Sequence, residues 1–241
     1  MNSRNSSTPQ GQRTRWWGRT ALLGAALALF GLSANAQVTI PAANTNSGSV
    51  NDPFGCFFGF ERSAMIYTPT EVVGTGTITA VGFFVNSVST PANAVNVRIY
   101  MKERSTTFTA TSTYATETTG ATLVYGPTTI PAASFTASAW TTITLATPFV
   151  YSGGANNLEV IIETNFTGGG GEGSAGKQFR FATAASNQFF QNWNQDTTAP
   201  TGTGTRSTSR PNIQLTGLTL PTCFAPGGLS VSGLTTTSAT L

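Results

Sequence analysis

Beyond residue 51, apolar and polar positions alternate in short runs broken by turn residues, the period-two pattern of half-buried strands. The clearest run is 95–101 (VNVRIYM), which places Val95, Val97, Ile99 and Met101 on one face and Asn96, Arg98 and Tyr100 on the other. Residues 77–85 (TITAVGFFV), 140–145 (WTTITL), 158–164 (LEVIIET), 178–182 (QFRFA) and 212–215 (NIQL) read as further strands, with 123–125 and 189–193 as weaker ones. No stretch after residue 36 shows a 3.6-residue apolar period with helix caps. The pattern predicts an all-β fold, an antiparallel two-sheet β-sandwich that is jelly-roll-like, large enough to close its core without metal or disulfide. Two long loops interrupt it. Residues 102–120 are Thr/Ser-rich and carry Phe108 and Tyr114, and residues 196–209 are polar with no apolar anchor.

The first 36 residues carry a different pattern. Arg4, Arg13, Arg15 and Arg19 precede an apolar run over 21–32 (ALLGAALALFGL), and Ala34-Asn35-Ala36 then satisfies the small-x-small cleavage rule. This predicts a signal peptide over 1–36, cleaved between Ala36 and Gln37, and a secreted or cell-surface protein. The apolar run is too short to span a bilayer, so no membrane span is expected in the mature chain. A polar leader is expected over 37–51 and the sandwich module over 52–219.

Charge narrows the function. The formal net charge of +3 comes from the leader; from residue 37 onward 8 basic residues face 9 acidic ones, so no basic domain exists to bind nucleic acid. The chain has no His, which excludes Ser-His-Asp and Cys-His nucleophile systems and any zinc site that needs imidazole. Cys56 and Cys223 leave several pairings open: with each other, Cys223 with a partner beyond Leu241, or neither. Their placement in different domains speaks against a bridge between them.

Each motif with chemical content has a plainer reading. Residues 171–177 (GEGSAGK) nearly match a phosphate-binding loop, but Gln178 stands where a Ser or Thr should hold magnesium, and a strand follows instead of a helix. A glycine-rich hairpin loop is expected there. Glu159 and Glu163 lie about 13 Å apart along one strand face, too far for a glycosidase pair, and are expected to face solvent. Asp52 and Asp196 are the only Asp residues and neither sits in a DxDxD-like run, so no cofactor is expected beyond a structural calcium held by carbonyls and one carboxylate. Aromatics are the strongest lead, because sugars stack on exposed rings beside uncharged hydrogen-bonding groups. Trp193, bracketed by Asn192 and Asn194, is the first candidate, followed by Phe190 and Tyr114. The plainer reading is that Phe189 and Trp193 fill the sandwich core, as Trp140 is expected to do.

Two resemblances extend this reading. Residues 221–241 (PTCFAPGGLSVSGLTTTSATL) resemble the opening of a fibronectin type III domain, with strand A at 229–231 and residues 237–241 entering strand B. Residues 220–241 are therefore expected to be a truncated domain of this kind, and the chain the N-terminal part of a longer protein. The body resembles a jelly-roll module of large bacterial surface proteins exported by type IX secretion. The matching stretches are 67–72 (YTPTEV), 76–83 (GTITAVGF), 97–102 (VRIYMK), 140–145 (WTTITL), 148–151 (PFVY), 157–160 (NLEV) and 210–213 (RPNI). The resemblance implies a non-catalytic module in adhesion or glycan recognition, with a surface polysaccharide or glycan and neighbouring domains of the same chain as partners. The alternative is a spacer or accessory domain of a secreted hydrolase. It also makes Thr197, in Asp196-Thr197-Thr198, resemble an O-glycosylation acceptor of such bacteria.

Overall fold

The computed structural model describes residues 36–166 and 176–221. The basic and apolar leader up to residue 35, the glycine-rich stretch up to residue 175, Cys223 and the fibronectin-like residues from 222 onward lie outside the described residues. The described chain forms β1 (Ala36–Ile40), β2 (Gly48–Val50), β3 (Phe60–Tyr67), a one-turn helix α1 (Pro69–Val72), β4 (Thr75–Ser87) and β5 (Ala94–Arg104). It continues with α2 (Tyr114–Thr118), β6 (Thr122–Ile130), a 3-10 turn (Ala132–Ser134), β7 (Ala139–Tyr151) and β8 (Asn157–Asn165). The last elements are β9 (Gln178–Thr183), β10 (Phe190–Gln195), β11 (Thr205–Arg206), β12 (Ser209–Pro211) and β13 (Ile213–Thr219).

Two sheets result, and their strand pairings are antiparallel. A 7-stranded sheet runs β1-β13-β4-β9-β12, with β7 also on β4 and β2 on β9, and a 6-stranded sheet runs β11-β10-β3-β8-β5-β6. The expected all-β sandwich is observed. Its main core lies between the sheets: Val97, Ile99 and Met101 of β5 meet Val160 and Ile162 of β8 and Val81, Phe83 and Val85 of β4. A connecting segment, residues 51–59, plugs one end of this interior. Phe54 is fully buried there and packs edge-on against Phe83 at 5.5 Å and Phe179 at 5.9 Å.

Three local expectations change. Residues 37–51 are not a detached leader, because β1 pairs with β13 from Gln37↔Thr216 to Ile40↔Ile213 and β2 pairs with β9. These strands are too short and too polar to announce themselves, yet Val38 and Ile40 alternate into the core. In β5, Ala94 takes the buried place expected of Val95. The register against β6 shifts between Ala94 and Val97, around Asn96 with its left-handed φ of 47°. Opposite this bulge, Gly126 has φ 87° and a Cβ there would stand 1.8 Å from Val97 O, so only glycine fits.

The third change concerns the loops. The 6-stranded sheet is covered on its outer face as well, by the segment after β5. Phe108 and Tyr114 from that segment form a second cluster with Ala64, Ile66, Ile161 and Trp193. The segment before β12, expected to be free of anchors, contributes β11 and a bridge from Thr203 to Thr113. The central strand β8 is thus buried from Asn157 to Thr164 on both sides.

The integration of β1 is open to test. Ile40 is 1% exposed, so Ile40→Ala should lower unfolding free energy by about 2–5 kcal/mol in urea titration. A mere leader residue would shift it by less than about 0.5 kcal/mol.

Candidate functional site

The three rings singled out by sequence are buried and cannot stack on a ligand. Phe190 is 1% exposed and belongs to the core between the sheets, while Trp193 at 3% and Tyr114 at 9% pack in the outer cluster. Trp193 and Tyr114 meet edge-on at 5.8 Å, and the indole Nε1 donates to Ser112 O at 2.9 Å. Gly204 lies directly on the indole, since a Cβ at that position would fall 2.7 Å from Cε2. Hydrophobic rings on an alternating strand are claimed by whichever segment can cover them, and here residues 105–121 and 200–206 do so. A cleft of about 280 Å³ opens between residues 192–195 and 200–205; Trp193 lies in its wall but is only 3% exposed, and the rest of the lining is mostly amide, threonine and glycine groups. A larger hollow of about 580 Å³ is walled by Val73, Tyr151, Leu220 and Pro221 and holds no charged or amide side chain to orient a ligand. Thr197 is exposed on the connection between β10 and β11.

Trp140, expected in the core, is the tryptophan that reaches solvent among the described residues. In the first half of β7 the buried positions are Thr141, Ile143 and Leu145, so Trp140, Thr142 and Thr144 take the outward face. Trp140 sits opposite Phe84 of β4 in register, partly exposed, and the rings meet edge-on at 5.4 Å and 84°. Arg180 of β9 lies 3.9 Å above the centroid of Phe84 and is steadied by Asn86 Oδ1 and Asn44 O. Beside this aromatic row, register places Thr142, Gly82, Gln214 and Thr39 side by side on the same face. Gln214 Nε2 donates to Thr39 Oγ1 at 3.2 Å. The next row is Thr144, Ala80, Thr216 and Gln37. This outer face of the 7-stranded sheet is a ring and guanidinium bordering rows of small hydroxyl and amide groups. The error in sequence was one of parity: WTTITL alternates with either face inward, and the β-branched Ile143 outranks the larger ring for the core.

The carboxylates are mostly committed to holding the fold. Glu159 and Glu163, expected to face solvent, are 0% and 5% exposed because the outer face of their sheet is covered. Glu163 pairs with Arg98 at 3.2 Å and with Arg62, whose Nη1 also donates to Pro200 O at 3.0 Å. Glu159 and Glu117 share Arg104, at 3.0 Å from each, and Lys102. Burial first, and then the neighbouring Glu117 charge, push Glu159 up to about 8. Burial also pushes Glu117 up, but the Ser112 hydroxyl, the bond to Glu159 and the two cations outweigh it and hold Glu117 below its ordinary value. Glu71 pairs with Arg210, and Glu103 accepts from Ser152 and Asn156. Lys177, from the phosphate-loop look-alike, is fully buried with its amine 2.9 Å from Ala92 O and 3.4 Å from Cys56 Sγ.

One acidic pair differs from the rest. Asp52 and Glu61 are 4% and 1% exposed in the plugged end of the sandwich. Glu61 Oε2 accepts from Cys56 N at 2.7 Å and Oε1 from Phe57 N at 2.8 Å and Phe58 N at 3.1 Å, so this one carboxylate fixes the turn that carries Phe54 into the core. Asp52 Oδ2 accepts from Asn192 Nδ2 at 3.0 Å. Burial raises Asp52 to about 6 despite its bonds to Asn192 and Asn194. Burial and then the Asp52 charge raise Glu61 to about 7. Among the described residues no three His, Cys, Asp or Glu side chains gather as a metal set.

The fold and this geometry define an all-β, two-sheet sandwich with one sheet face covered and the other presenting an aromatic row. No protein-family model matches the chain, and neither does any curated protein or solved structure. Among the described residues no helix is long and apolar enough to cross a membrane.

Two outcomes test the site description. Trp193→Ala should cost about 3–5 kcal/mol in chemical unfolding, as for a buried aromatic. Glu159 carries a folded value above its unfolded one. Its contribution is therefore fully present below about 4.5 and is lost as pH rises through about 8. Thermal unfolding of wild type should decline between pH 5 and 8, and Glu159→Gln should make that decline shallower.

Proposed function

We propose that this chain is a non-catalytic, exported module of a multidomain surface protein that recognises a neutral glycan on the outer face of its 7-stranded sheet. The observation that carries the reading is Trp140: a partly exposed indole, braced edge-on by Phe84, beside rows of Thr, Gln and Gly. A ring supplies apolar stacking, and the adjacent hydroxyl and amide groups supply hydrogen bonds to sugar hydroxyls without charge. The acids argue in the same direction. Among the described residues Asp196 is the only Asp or Glu in an exposed position, while the others are engaged in ion pairs, hydrogen bonds or the plugged end. Acid–base chemistry on a sugar needs two available carboxyl groups flanking it. Export is supported by the leader pattern, and cleavage before Gln37 leaves intact the pairing of β1 from Gln37 to Ile40 with β13.

A single ring stack contributes about 1–2 kcal/mol, so affinity is weak and gains strength from repetition along a multidomain chain. Trp140→Ala should abolish retention on insoluble polysaccharide and signal on a glycan array. Its unfolding midpoint should stay close to wild type, because only an edge-on contact with Phe84 is lost. Retention unchanged in Trp140→Ala, or no retention of wild type on any surface polymer, would remove this reading. The spacer role beside a secreted hydrolase, favoured by the burial of Trp193, Phe190 and Tyr114, would then stand in its place.

A further inference from the structure

Every buried or half-buried Glu of the outer cluster and of the α1 region has a cation in contact: Glu71 has Arg210, Glu117 and Glu159 have Arg104 and Lys102, and Glu163 has Arg62 and Arg98. Asp52 and Glu61 are buried to a similar degree, yet no Lys or Arg of the described chain lies within ion-pair distance of either. Two carboxylates without a counter-ion in a protein interior are strongly unfavourable. Nearby oxygens are incompletely used as well. Asp52 Oδ1 and Ser63 Oγ are buried with no hydrogen-bond partner.

The topology gathers these atoms at one place. Glu61 and Ser63 are two apart on β3 and so share its inward face with the core residue Met65. Register sets Asn194 opposite Glu61 and Asn192 opposite Ser63 on β10. Asp52 comes down from the plug segment onto Asn192. The three amide bonds to Glu61 leave one lone-pair direction on Oε2, and Asp52 Oδ1 is entirely unused. Ser63 Oγ and Asp52 Oδ1, one able to donate and the other to accept, are both buried and make no hydrogen bond to each other.

We infer that Asp52 and Glu61, with Ser63 and the amide oxygen of Asn192, form a binding site for a calcium-like divalent cation that locks the plug segment into the end of the sandwich. Two carboxylates balance the charge of one divalent ion. The donor set is oxygen alone, carboxylate with hydroxyl and amide, which selects a hard cation over zinc or copper. Cys56 does not enter the set, since its Sγ faces Phe54 O, Asn93 O and Lys177. Two carboxylates and neutral oxygens match the weak calcium sites of extracellular modules, with Kd of about 0.1–1 mM.

The test uses the intact chain, stripped with chelator and held at pH 8. Calorimetric titration with calcium chloride should give one site in the range just stated, and terbium should bind with luminescence that calcium quenches. Asp52→Asn should remove both signals and leave the metal-free chain as stable as, or more stable than, wild type, because an uncompensated charge is gone. If Asp52→Asn does not fold, Ser63→Ala keeps both acids and should weaken calcium at least tenfold. No heat, no terbium signal and an unfolding midpoint unmoved at millimolar calcium would overturn the inference. Calcium binding of undiminished strength in Asp52→Asn or Ser63→Ala would overturn it equally.

Discussion

Covering the outer face of the 6-stranded sheet with residues 105–121 takes Glu159, Glu163 and Glu117 out of water, and most other features answer to that act. A carboxylate removed from solvent must find a cation and good hydrogen bonds or give up its charge. The sheet meets the demand with arginines that also serve as clamps. Arg62 binds Glu163, lies 4.3 Å from the centroid of the Tyr114 ring and holds Pro200 O. Arg104 binds Glu117 and Glu159 and lies 4.9 Å from the centroid of Phe108. Each guanidinium thus joins a strand carboxylate to an aromatic ring of the covering segment. The long loops are ordered by the same groups that neutralise the buried charge.

The asymmetry between the sheets follows. With the 6-stranded sheet covered, its rings become packing and Trp193 is lost to ligands. On the outer face of the 7-stranded sheet Trp140, Thr142 and Thr144 have no such cover among the described residues. Antiparallel sheets commonly keep one wet face, and here that face carries a tryptophan. The candidate site is therefore defined by which side of the sandwich the loops leave bare.

How far this was legible from sequence depends on the range of the interaction. The alternation in 95–101 foretold strand β5, its buried Val97, Ile99 and Met101, and the all-β class. It missed the displacement of Val95, because a bulge at Asn96 depends on the facing Gly126 some 30 residues away. Alternation also cannot say whether the polar side of a strand meets water or a later loop, and so Glu159 and Glu163 were misplaced. A signal for them existed: the unbroken Val160-Ile161-Ile162 puts an apolar residue on the face shared with both glutamates, which a wet face would not favour. Trp140 and Trp193 exchanged roles for a related reason. A ring weighs heavily in any reading of a core, but the parity of each strand was set by Ile143 and Leu145 in one case and by Phe190 in the other.

The pairing of β1 with β13 has a consequence for the order in which the chain can fold. The first strand of the module finds its neighbour only in the last, so Ile40 must wait for Ile213 before its edge of the sheet exists. A chain made from its N-terminus cannot close this seam until nearly the whole module has been synthesised. Contacts so distant in sequence form slowly. The seam that completes the sandwich is therefore the one that the rest of the module must wait for.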